Sequence, residues 1–392
     1  MMEVFSFGNI YRCYLACRRN KRNTINALRF EINAEENILK LERELKTRTY
    51  RPSRSILFAS RKPKLREIFA ADFRDRVVHH VLVDYLERIY EPIFIHDSYA
   101  CRKDKGTHAA VMRLQSFLRK VSKNGRARAH YLQLDVKDFF TSINKNILFG
   151  FMKKKISNKD ILWLTEKVLF HDPTESFILR DRDNVINKIP PNKSLFGKSN
   201  LRGLPIGNLT SQFFANVYMN ELDQFVKHSL KAKYYIRYVD DLVLLSDNLD
   251  ILMKWRQDIE GFLAEKLSLG LHPKRRKLQP ISNGIDFLGY ITRRDYILVR
   301  RRVINNLRSR LRYFERNDER VVIARSPSGA TRQSIFKARL LQPLSRLRND
   351  NRRACLQSYL SHFKWANTYR LAQSLTRNKK ISDCISVGAK NV

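Results

Sequence analysis

Two adjacent aspartates, Asp240 and Asp241, lie in the middle of an apolar stretch that runs from Tyr234 to Ser246. Strand-forming residues precede them and leucine-rich residues follow, so the pattern predicts a β-hairpin with both carboxylates at its tip. Two like charges held together raise each other's energy unless a cation compensates them. A hard divalent ion such as Mg²⁺ is the usual compensation, because it prefers oxygen ligands. A solvated turn is the alternative, since aspartate is also common in turns.

A third aspartate, Asp135, belongs to a second predicted strand. Residues 131–136 alternate between polar and apolar positions, which turns Asp135 away from the leucine face of that strand. Asp135 lies 105 residues before Asp240, so only the tertiary fold can bring the two together. Three carboxylates on neighbouring strands can hold two Mg²⁺ ions about 3.5–4 Å apart, an arrangement that serves in-line phosphoryl displacement.

Several motifs extend this pattern along most of the chain. The segment LDVKDFF around Asp135 and the segment YVDD at 238–241 resemble the palm of a reverse transcriptase, and the resemblance runs from roughly residue 30 to 375. Four further segments resemble the reverse transcriptases of diversity-generating retroelements: PPNKSLF at 190–196, GLPIGNLTSQ at 203–212, GIDFLGY at 284–290 and SYLSHFKWANTYRL at 358–371. Reverse transcriptases of bacterial phage-defence systems share much of the same pattern.

The resemblance implies an α+β right-hand polymerase with fingers, a palm whose antiparallel sheet carries the YVDD hairpin, and a helical thumb. We assign residues 1–50 to a basic helical extension, 51–295 to fingers and palm, 296–380 to the thumb and 381–392 to a tail. The apolar stripe of residues 1–50 is only partial, which favours a solvated basic helix. Residues 158–202 are rich in Pro, Asn and Ser, which predicts a long loop.

The resemblance also implies a catalytic and metal site. Asp135, Asp240 and Asp241, with the main chain of Val136, are expected to bind two Mg²⁺ ions, or Mn²⁺ in their place. The reaction is RNA-directed DNA synthesis from dNTPs. A second hypothesis, a maturase-like scaffold that binds RNA without catalysis, has no use for all three acids.

A larger set of residues is expected to surround the incoming nucleotide: Lys64, Arg66, Phe139, Phe140, Ile206, Gly207, Gln212 and Lys274. Lys64 and Arg66 fit a triphosphate because a cation cluster is what such an anion needs. Phe140 is the predicted steric gate against a 2′-hydroxyl, and Phe139 is the second candidate. Lys274 falls near a lysine suggested to protonate pyrophosphate, although the run KRRK leaves its register open.

The departures from most reverse transcriptases concern fidelity. Most members carry Gln at the position of Ile206 and Pro at that of Gln212, and the diversity-generating branch shares this departure. The change removes a polar group near the templating pair. We therefore expect error-prone synthesis.

Contacts to template and primer are expected at Arg102, Lys103, Tyr238, Phe287, Leu288, Gly289, Arg308 and Arg310. Arg102 and Lys103 lie in a glycine-containing basic loop that can contact a nucleic-acid backbone. GIDFLGY resembles a primer-grip hairpin, for which a plain core strand pair is the alternative. The arginines after residue 300 alternate with apolar residues at helical spacing, as expected for a helix that lies on a duplex.

Composition points to a polyanionic partner. The chain has 76 basic and 38 acidic residues, a formal charge of +38, for which nucleic acid is the favoured partner and anionic membrane the alternative. It contains neither an apolar run of about 18 residues nor a visible signal peptide, so we expect a cytoplasmic protein that uses no membrane. Its five cysteines are scattered, which excludes a disulfide framework and a zinc-binding CxxC pair and predicts reduced thiols. The implied partners are a structured RNA that supplies template and primer, the cDNA product and a separately encoded accessory protein; self-association is left open.

Overall fold

The computed structural model describes residues 3–19, 24–61, 64–180 and 185–324, without the side chains of residues 311 and 314–324. The described residues fall into two compact units. The first draws on Met1–Gly106 and His130–Gln279, and the second on Thr107–Ala129 and Pro280–Val392. The predicted boundary between residues 295 and 296 therefore lies inside the second unit.

Groups of helices and groups of strands follow one another along the described chain. The helices are α1 (Phe7–Arg18), α2 (Ile25–Ile32), α3 (Ala34–Lys46), α4 (Phe73–Tyr90), α5 (Thr107–Val121), α6 (Phe139–Ser142), α7 (Lys145–Lys153), α8 (Lys159–Leu169), α9 (Leu209–Gln224), α10 (Leu249–Leu267) and α11 (Arg301–Ala324). The strands are β1 (Ser55–Ser60), β2 (Arg66–Ala70), β3 (His130–Asp135), β4 (Phe177–Leu179), β5 (Tyr234–Tyr238), β6 (Asp241–Ser246), β7 (Lys277–Pro280), β8 (Ile285–Phe287), β9 (Tyr290–Thr292) and β10 (Ile297–Val299).

The central sheet has the strand order β5-β6-β3-β7. Strands β5 and β6 form the predicted hairpin, and β6 also pairs antiparallel with β3. Leu132 and Leu134 of β3 are buried, as are Leu242 and Leu244 of β6, in the same core cluster as the apolar face of α9. On β3 this burial favours one register, because a slip of one residue would turn Leu132 and Leu134 out and bring Gln133 towards the core.

A second sheet of the first unit has the order β2-β1-β4, in which β1 pairs antiparallel with β2 and parallel with β4. The β4 strand lies inside the predicted loop 158–202, and so does helix α8. That prediction was wrong at these two elements. Asn158 caps α8 by accepting hydrogen bonds from the backbone of Asp160 and Ile161, and apolar residues at helical spacing bury its inner face. The Pro and Asn residues of the stretch obscured this pattern.

The first fifty residues contain α1, α2 and α3, and they are packed rather than solvated. Ile10, Leu41 and Leu45 are fully buried, and the ring of Tyr14 packs against Phe73 of α4. Leu39 of the same helix is exposed, so the apolar stripe is incomplete in the sequence. The prediction of a solvated basic helix was therefore wrong for α1 and α3.

The second unit contains α5, the three-stranded sheet β10-β9-β8 and α11. The turn between β8 and β9 consists of Leu288 and Gly289, both with positive φ (52° and 92°), the conformation that a tight two-residue hairpin requires. Helix α11 agrees with the helical period predicted after residue 300. Residues 325–392, with most of the predicted thumb and the tail, lie outside the described residues.

Three of the five cysteines lie among the described residues. Cys13 and Cys17 are buried, Cys101 is exposed, and burial raises the pKa of Cys13 to about 11. Cys355 and Cys384 lie outside the described residues. Within the described part of the chain, every helix is too short or too polar to cross a bilayer.

Candidate active site

The hairpin of β5 and β6 closes with two residues. Tyr238 pairs with Asp241, so Val239 and Asp240 make the turn. Val239 has φ of 57°, which a β-branched residue adopts only at a cost of about 1–3 kcal/mol. Such strain persists only where the surrounding structure enforces it.

A buried ion pair lies directly under this turn. Arg237 and Asp223 are both fully buried, and the Arg237 guanidinium donates to the two Asp223 carboxylate oxygens at 2.6–2.9 Å. The same guanidinium donates to the backbone carbonyl of Val239 at 3.1 Å. Ser98 and Asn216 accept its remaining hydrogen bonds. The sequence reading missed this network, although an arginine within the otherwise apolar and aromatic YYIRY was a visible signal.

The three aspartates come together as predicted. Asp135 ends β3 opposite Asp241 in the strand register, with Asp240 next to Asp241 in the turn. Burial and then the charge of Asp135 raise the pKa of Asp240 to about 6. Burial, and then the charges of Asp240 and Asp135, raise the pKa of Asp241 to about 7. Asp135 is therefore close enough to disfavour ionisation of both Asp240 and Asp241.

Basic side chains face these carboxylates. Arg66 and Lys64 favour the ionised form of Asp240, and Arg275 and Lys64 favour that of Asp241. The pKa of Lys64 is lowered, first by burial and then by the charges of Arg275 and Arg66. Lys64 and Arg66 thus approach the aspartates across the site, as expected for residues that bind a triphosphate between them.

Arg275, the residue after Lys274, reaches the carboxylates, and the role expected of Lys274 at the pyrophosphate stays a prediction. Its guanidinium lies 2.7 Å from Oδ2 of Asp135, whereas Lys274 is exposed and its backbone N–H donates to Nδ1 of His272. The sequence could not fix this register within KRRK. Because an arginine does not release its proton in proteins, Arg275 cannot take the acid role expected of Lys274.

Carboxylate oxygens are the type of ligand that a hard cation prefers, but the described side chains are not arranged around a metal position. Among the described residues, no group of three or more His, Cys, Asp or Glu side chains is arranged to hold a metal ion. Arg275 pairs with one oxygen of Asp135. Burial and then mutual repulsion raise the pKa of Asp240 and Asp241. A divalent cation relieves that repulsion, so the donor set fits Mg²⁺.

The main chain of Val136, which is expected to contribute a metal ligand, lies next to Asp135. Val136 forms an isolated antiparallel bridge with Leu271. Its two hydrogen bonds are made by the backbones of Asp135 and Lys137, so the bridge does not use the Val136 carbonyl.

The two phenylalanines after Asp135 differ in burial. Phe139 is 3% exposed and belongs to the core, whereas Phe140 is only partly buried, and the two rings meet edge to face at 5.3 Å. The backbone carbonyl of Phe140 accepts a hydrogen bond from Leu204 at 2.7 Å. This arrangement favours Phe140 over Phe139 as the predicted gate.

The loop before α9 is tied to β2. The Ile206 carbonyl accepts from the backbone N–H of Phe69 at 3.0 Å. Gly207 has φ of +119°, and a Cβ there would come within 2.8 Å of the Ile68 side chain, so only glycine fits. Gln212 is exposed on α9.

Asn208 lies at the N-cap position of α9. The Asn208 side chain makes no cap hydrogen bond; its Oδ1 accepts from the backbone N–H of Ala71 instead. Asn208 therefore holds the loop against the end of β2.

The segment from Pro191 to Phe196 contributes contacts that the sequence reading did not predict. Asn192 donates to Asp138 at 2.8 Å, three residues after Asp135. The Ser194 hydroxyl donates to the buried Glu67 at 2.6 Å, next to Arg66. The segment thus joins the loop of Asp135 to β2, and its Lys193 contributes to the lowered pKa of Lys64.

Two predicted nucleic-acid contacts are used inside the fold. The Arg102 side chain is 6% exposed and binds Glu91 and the backbone carbonyls of Ile95 and Ser98. Phe287 is 1% exposed in the core of the second unit. Neither side chain is presented to a nucleic acid, so both assignments were wrong.

The other predicted contacts lie at or near the surface. Lys103 is exposed and Tyr238 is partly buried at the end of β5. Leu288 and Gly289 form the partly buried turn of the second unit, where Arg308 and Arg310 are exposed on α11. Their roles stay predictions.

A comparison with known families decides the identity of the fold. Residues 59–292 match the family model described as reverse transcriptase (RNA-dependent DNA polymerase). The chain belongs to the reverse transcriptase family. The α+β class expected from the sequence is confirmed, with Asp135 and the YVDD hairpin of the palm inside the matched region.

Three curated relatives match parts of the chain at 23–26% identity. The Group II intron-encoded protein LtrA of Lactococcus lactis is 25% identical over 252 residues, which is 62% of this chain and 38% of LtrA. Protein YkfC of Escherichia coli K12 is 23% identical, covering 61% of this chain and 66% of YkfC. An uncharacterized 91 kDa protein in a cob intron of Schizosaccharomyces pombe is 26% identical over 47% of this chain and 20% of its own length. The matched region thus spans between a fifth and two thirds of these relatives.

Solved structures of telomerases are also similar. Apo telomerase from Candida tropicalis, truncated from its C-terminal domain, matches with a TM-score of 0.47 and 12% identity over 63% of this chain and 55% of the telomerase chain. Telomerase from Candida albicans matches with a TM-score of 0.41 and 11% identity over 65% of this chain and 48% of that chain.

Proposed function

We propose that this reverse transcriptase is an active RNA-directed DNA polymerase that uses dNTPs. One observation carries the proposal: Asp135 lies opposite Asp241 in the strand register, and Lys64 and Arg66 are close enough to favour the ionised form of Asp240. A phosphoryl-transfer site needs this combination, because anionic donors hold the cation and cationic side chains hold the triphosphate. A protein that only binds RNA has no need to keep three repelling carboxylates together.

The side chains divide the work. Asp135, Asp240 and Asp241, with the Val136 carbonyl, would hold two Mg²⁺ or Mn²⁺ ions, which when bound stabilise charge on the transferred phosphoryl group. Lys64 and Arg66 bind the triphosphate and orient it. Phe140 lies under the sugar and excludes the 2′-hydroxyl of a ribonucleotide. Arg275 pairs with Asp135 and offsets its charge.

Substitution of Asp240 tests the polymerase directly. In primer extension on an RNA template with Mg²⁺, Asp240→Asn should lower the rate by at least about a hundredfold, more than the loss of an outer-shell metal contact. RNA binding should remain nearly intact, because the carboxylate acts mainly on the transition state. Asp247→Asn, on an exposed aspartate just after β6, is the matched control. Appreciable synthesis by Asp240→Asn would remove the assignment.

We further propose that synthesis is error-prone and serves a diversity-generating retroelement. The support is the set of segments at 190–196, 203–212, 284–290 and 358–371 together with Ile206, where most relatives carry Gln. An apolar side chain offers shape but no hydrogen bond to hold template or sugar. A hydrogen bond contributes about 0.5–1.5 kcal/mol net, and about 1.4 kcal/mol of discrimination is tenfold in error rate.

Ile206→Gln tests the fidelity proposal. The variant should lower misincorporation several-fold, most strongly opposite template adenine, the base that this branch habitually misreads. Sequencing of cDNA made by both proteins measures the effect, with Leu249→Gln as a control at an exposed apolar position remote from the loop. An unchanged error spectrum would mean that Ile206 only packs.

Phage defence and a maturase-like role can be distinguished from diversification by the neighbouring genes and by the products of the reaction. A reverse transcriptase of a phage-defence system would lie in an operon with a noncoding RNA, whereas a template repeat beside a variable gene marks diversification. A maturase-like scaffold would bind its RNA and leave primers unextended. In each context we propose a structured RNA and a separately encoded accessory protein as partners, in the cytoplasm.

A further inference from the structure

The segment 119–128, which covers the end of α5 and the turn after it, is strongly basic. Half of its residues are Arg or Lys, and all of these are exposed: Arg119, Lys120, Lys123, Arg126 and Arg128. The wider stretch Thr107–Ala129, which belongs to the second unit, contains six basic and no acidic residues. We call residues 119–128 the basic turn.

The basic turn is held in one conformation by hydrogen bonds. Lys123, Asn124 and Gly125 have φ of 47°, 57° and 93°, so three consecutive residues are left-handed. Non-glycine residues adopt this conformation at a cost in free energy and keep it only where their surroundings enforce it. Ser122, which is 1% exposed, does so through its carbonyl, which accepts from the backbone N–H groups of Gly125 at 2.8 Å and Ala127 at 2.9 Å.

An arginine from the following sheet lies against the same turn. The Arg294 guanidinium donates to the carbonyl of Asn124 at 3.1 Å. A Cβ at Gly125 would come within 1.3 Å of this guanidinium, so a larger residue there would displace it. The turn is therefore built to carry a further cation on its backbone.

The acidic side chains described in the second unit are both paired. Asp286 pairs with Arg300, and Asp295 pairs with Arg294 at 2.8 Å. The pKa of Asp295 is lowered, first by the hydrogen bond from Arg294, and the charge of Arg119 lowers it further. The described acids of this unit thus leave the basic turn with a net positive charge.

The basic turn offers charge without a surface for stacking or for insertion into a bilayer. It contains no aromatic residue, and the side chain of Val121 is buried. Bases stack on aromatic rings, and a membrane surface takes up large apolar side chains, so the turn suits neither. Clustered guanidinium and ammonium groups suit phosphates. A double helix carries about twice as many phosphates per unit length as one of its strands, which favours a helical ligand.

We propose that the basic turn binds the phosphate backbone of a helical segment of RNA. The inference rests on the structured RNA partner proposed above, and it gives that partner a surface on the second unit. Phosphate contacts fix the orientation of a nucleic acid without reading its bases, so the turn accepts helices of any sequence. None of its five cations belongs to the candidate active site. The contact therefore holds the RNA and takes no part in synthesis.

Removal of three charges tests the proposal. The variant K123Q/R126Q/R128Q changes the basic turn, and the matched control K153Q/K154Q/K155Q removes three exposed lysines at the end of α7. Fluorescence anisotropy across salt concentrations measures binding to a labelled RNA hairpin of about 16 base pairs, the span of a double-stranded RNA-binding domain, and to a labelled unstructured RNA.

For the hairpin, the basic-turn variant should lower the slope of log affinity against log salt by about two to three, since each lost phosphate contact on a duplex contributes about 0.9. The control variant should keep the slope of the wild type. The unstructured RNA should bind the two variants alike. Thermal unfolding and primer extension on a short template–primer should also be the same for both variants, which shows that the basic-turn variant is folded.

The proposal is overturned if the control variant loses the same slope on the hairpin, or if the basic-turn variant loses as much on the unstructured RNA. It is also overturned if the loss appears with phosphatidylserine vesicles instead of the hairpin, which would make the ligand a membrane. Binding is measured without dNTP. A wild type that binds the hairpin through the basic turn and extends no primer would refute the polymerase and leave the assignment of the turn standing.

Discussion

Ionising both Asp240 and Asp241 costs free energy in the folded state, so the stability of the protein should depend on pH. Asp241 has a pKa of about 7 in the folded chain, against a usual value near 3.9 when unfolded. Between these values the folded state holds a proton that the unfolded state has lost. The free energy of unfolding contributed by this group therefore falls as pH rises through this range.

Asp241→Asn should remove that penalty. In the presence of a chelator we expect the variant to melt several degrees above the wild type at pH 8 and by a much smaller margin at pH 5, because the penalty accumulates only as the pH rises above the unfolded pKa near 3.9. Thermal unfolding followed by circular dichroism measures this, with Asp247→Asn as the exposed control. Equal shifts at the two pH values would mean that the carboxylate is not under this strain.

Phe139 and Phe140 should respond differently to the same truncation. Phe140→Ala opens space under the sugar, so ribonucleotides should enter the product much more often while the fold is retained. Phe139→Ala leaves a cavity in the core and should cost about 3–5 kcal/mol of stability with little change in sugar selection. Alkaline cleavage of the products scores ribonucleotides. A Phe140→Ala protein that is unstable and still selective would reverse the two roles.

At the scale of elements, the hairpin depends on a partner far from it in sequence. Asp223 at the end of α9 fixes the Arg237 guanidinium, which in turn donates to the carbonyl of the strained Val239. The Tyr235 hydroxyl donates to the same carboxylate at 2.7 Å. We infer that Arg237 positions the turn and thereby Asp240.

Arg237→Lys keeps the charge and removes the fork that reaches Val239. We expect a loss of stability of about 1–3 kcal/mol and, in addition, a lower kcat and a higher Mg²⁺ requirement at unchanged KM for dNTP. Arg102→Lys makes the same substitution at another buried arginine, paired with the partly exposed Glu91, so it should cost stability without altering the Mg²⁺ requirement. Steady-state kinetics across Mg²⁺ concentrations separates the two. Parallel Mg²⁺ curves for both variants and the wild type would leave Arg237 a purely structural residue.

At the scale of the whole molecule, the charge of +38 should make nucleic-acid binding steeply dependent on salt. Each phosphate contact to a single strand contributes about 0.7 to the slope of log affinity against log salt. Arg308→Gln should lower this slope by about that amount if its exposed side chain on α11 contacts a phosphate, whereas Lys40→Gln on α3 should not. Fluorescence anisotropy with a labelled RNA measures both. A flat dependence for the wild type would mean that the charge serves another partner.

The sequence by itself determined the parts of this protein that depend on local pattern. The two strands that carry Asp135 and Asp241 follow from apolar periodicity, and the tight YVDD turn leaves little choice of geometry. Likewise, the positive charge and the K-x-R spacing of Lys64 and Arg66 are a local pattern that predicts a site for an anion. These features need only a few neighbouring residues to be recognised.

Only the tertiary structure decided the features that join distant segments. Arg275 reaches Asp135 because the bridge between Val136 and Leu271 sets the register of that loop, which no local signal within KRRK specifies. Arginine and phenylalanine often contact nucleic acids, but here Arg102 pairs with Glu91 and Phe287 is buried in the core of the second unit. The Arg237–Asp223 pair is invisible to periodicity because a buried charge is tolerated only where a distant partner compensates it. Such long-range compensation is a property of the fold, so the sequence alone could not rank these side chains.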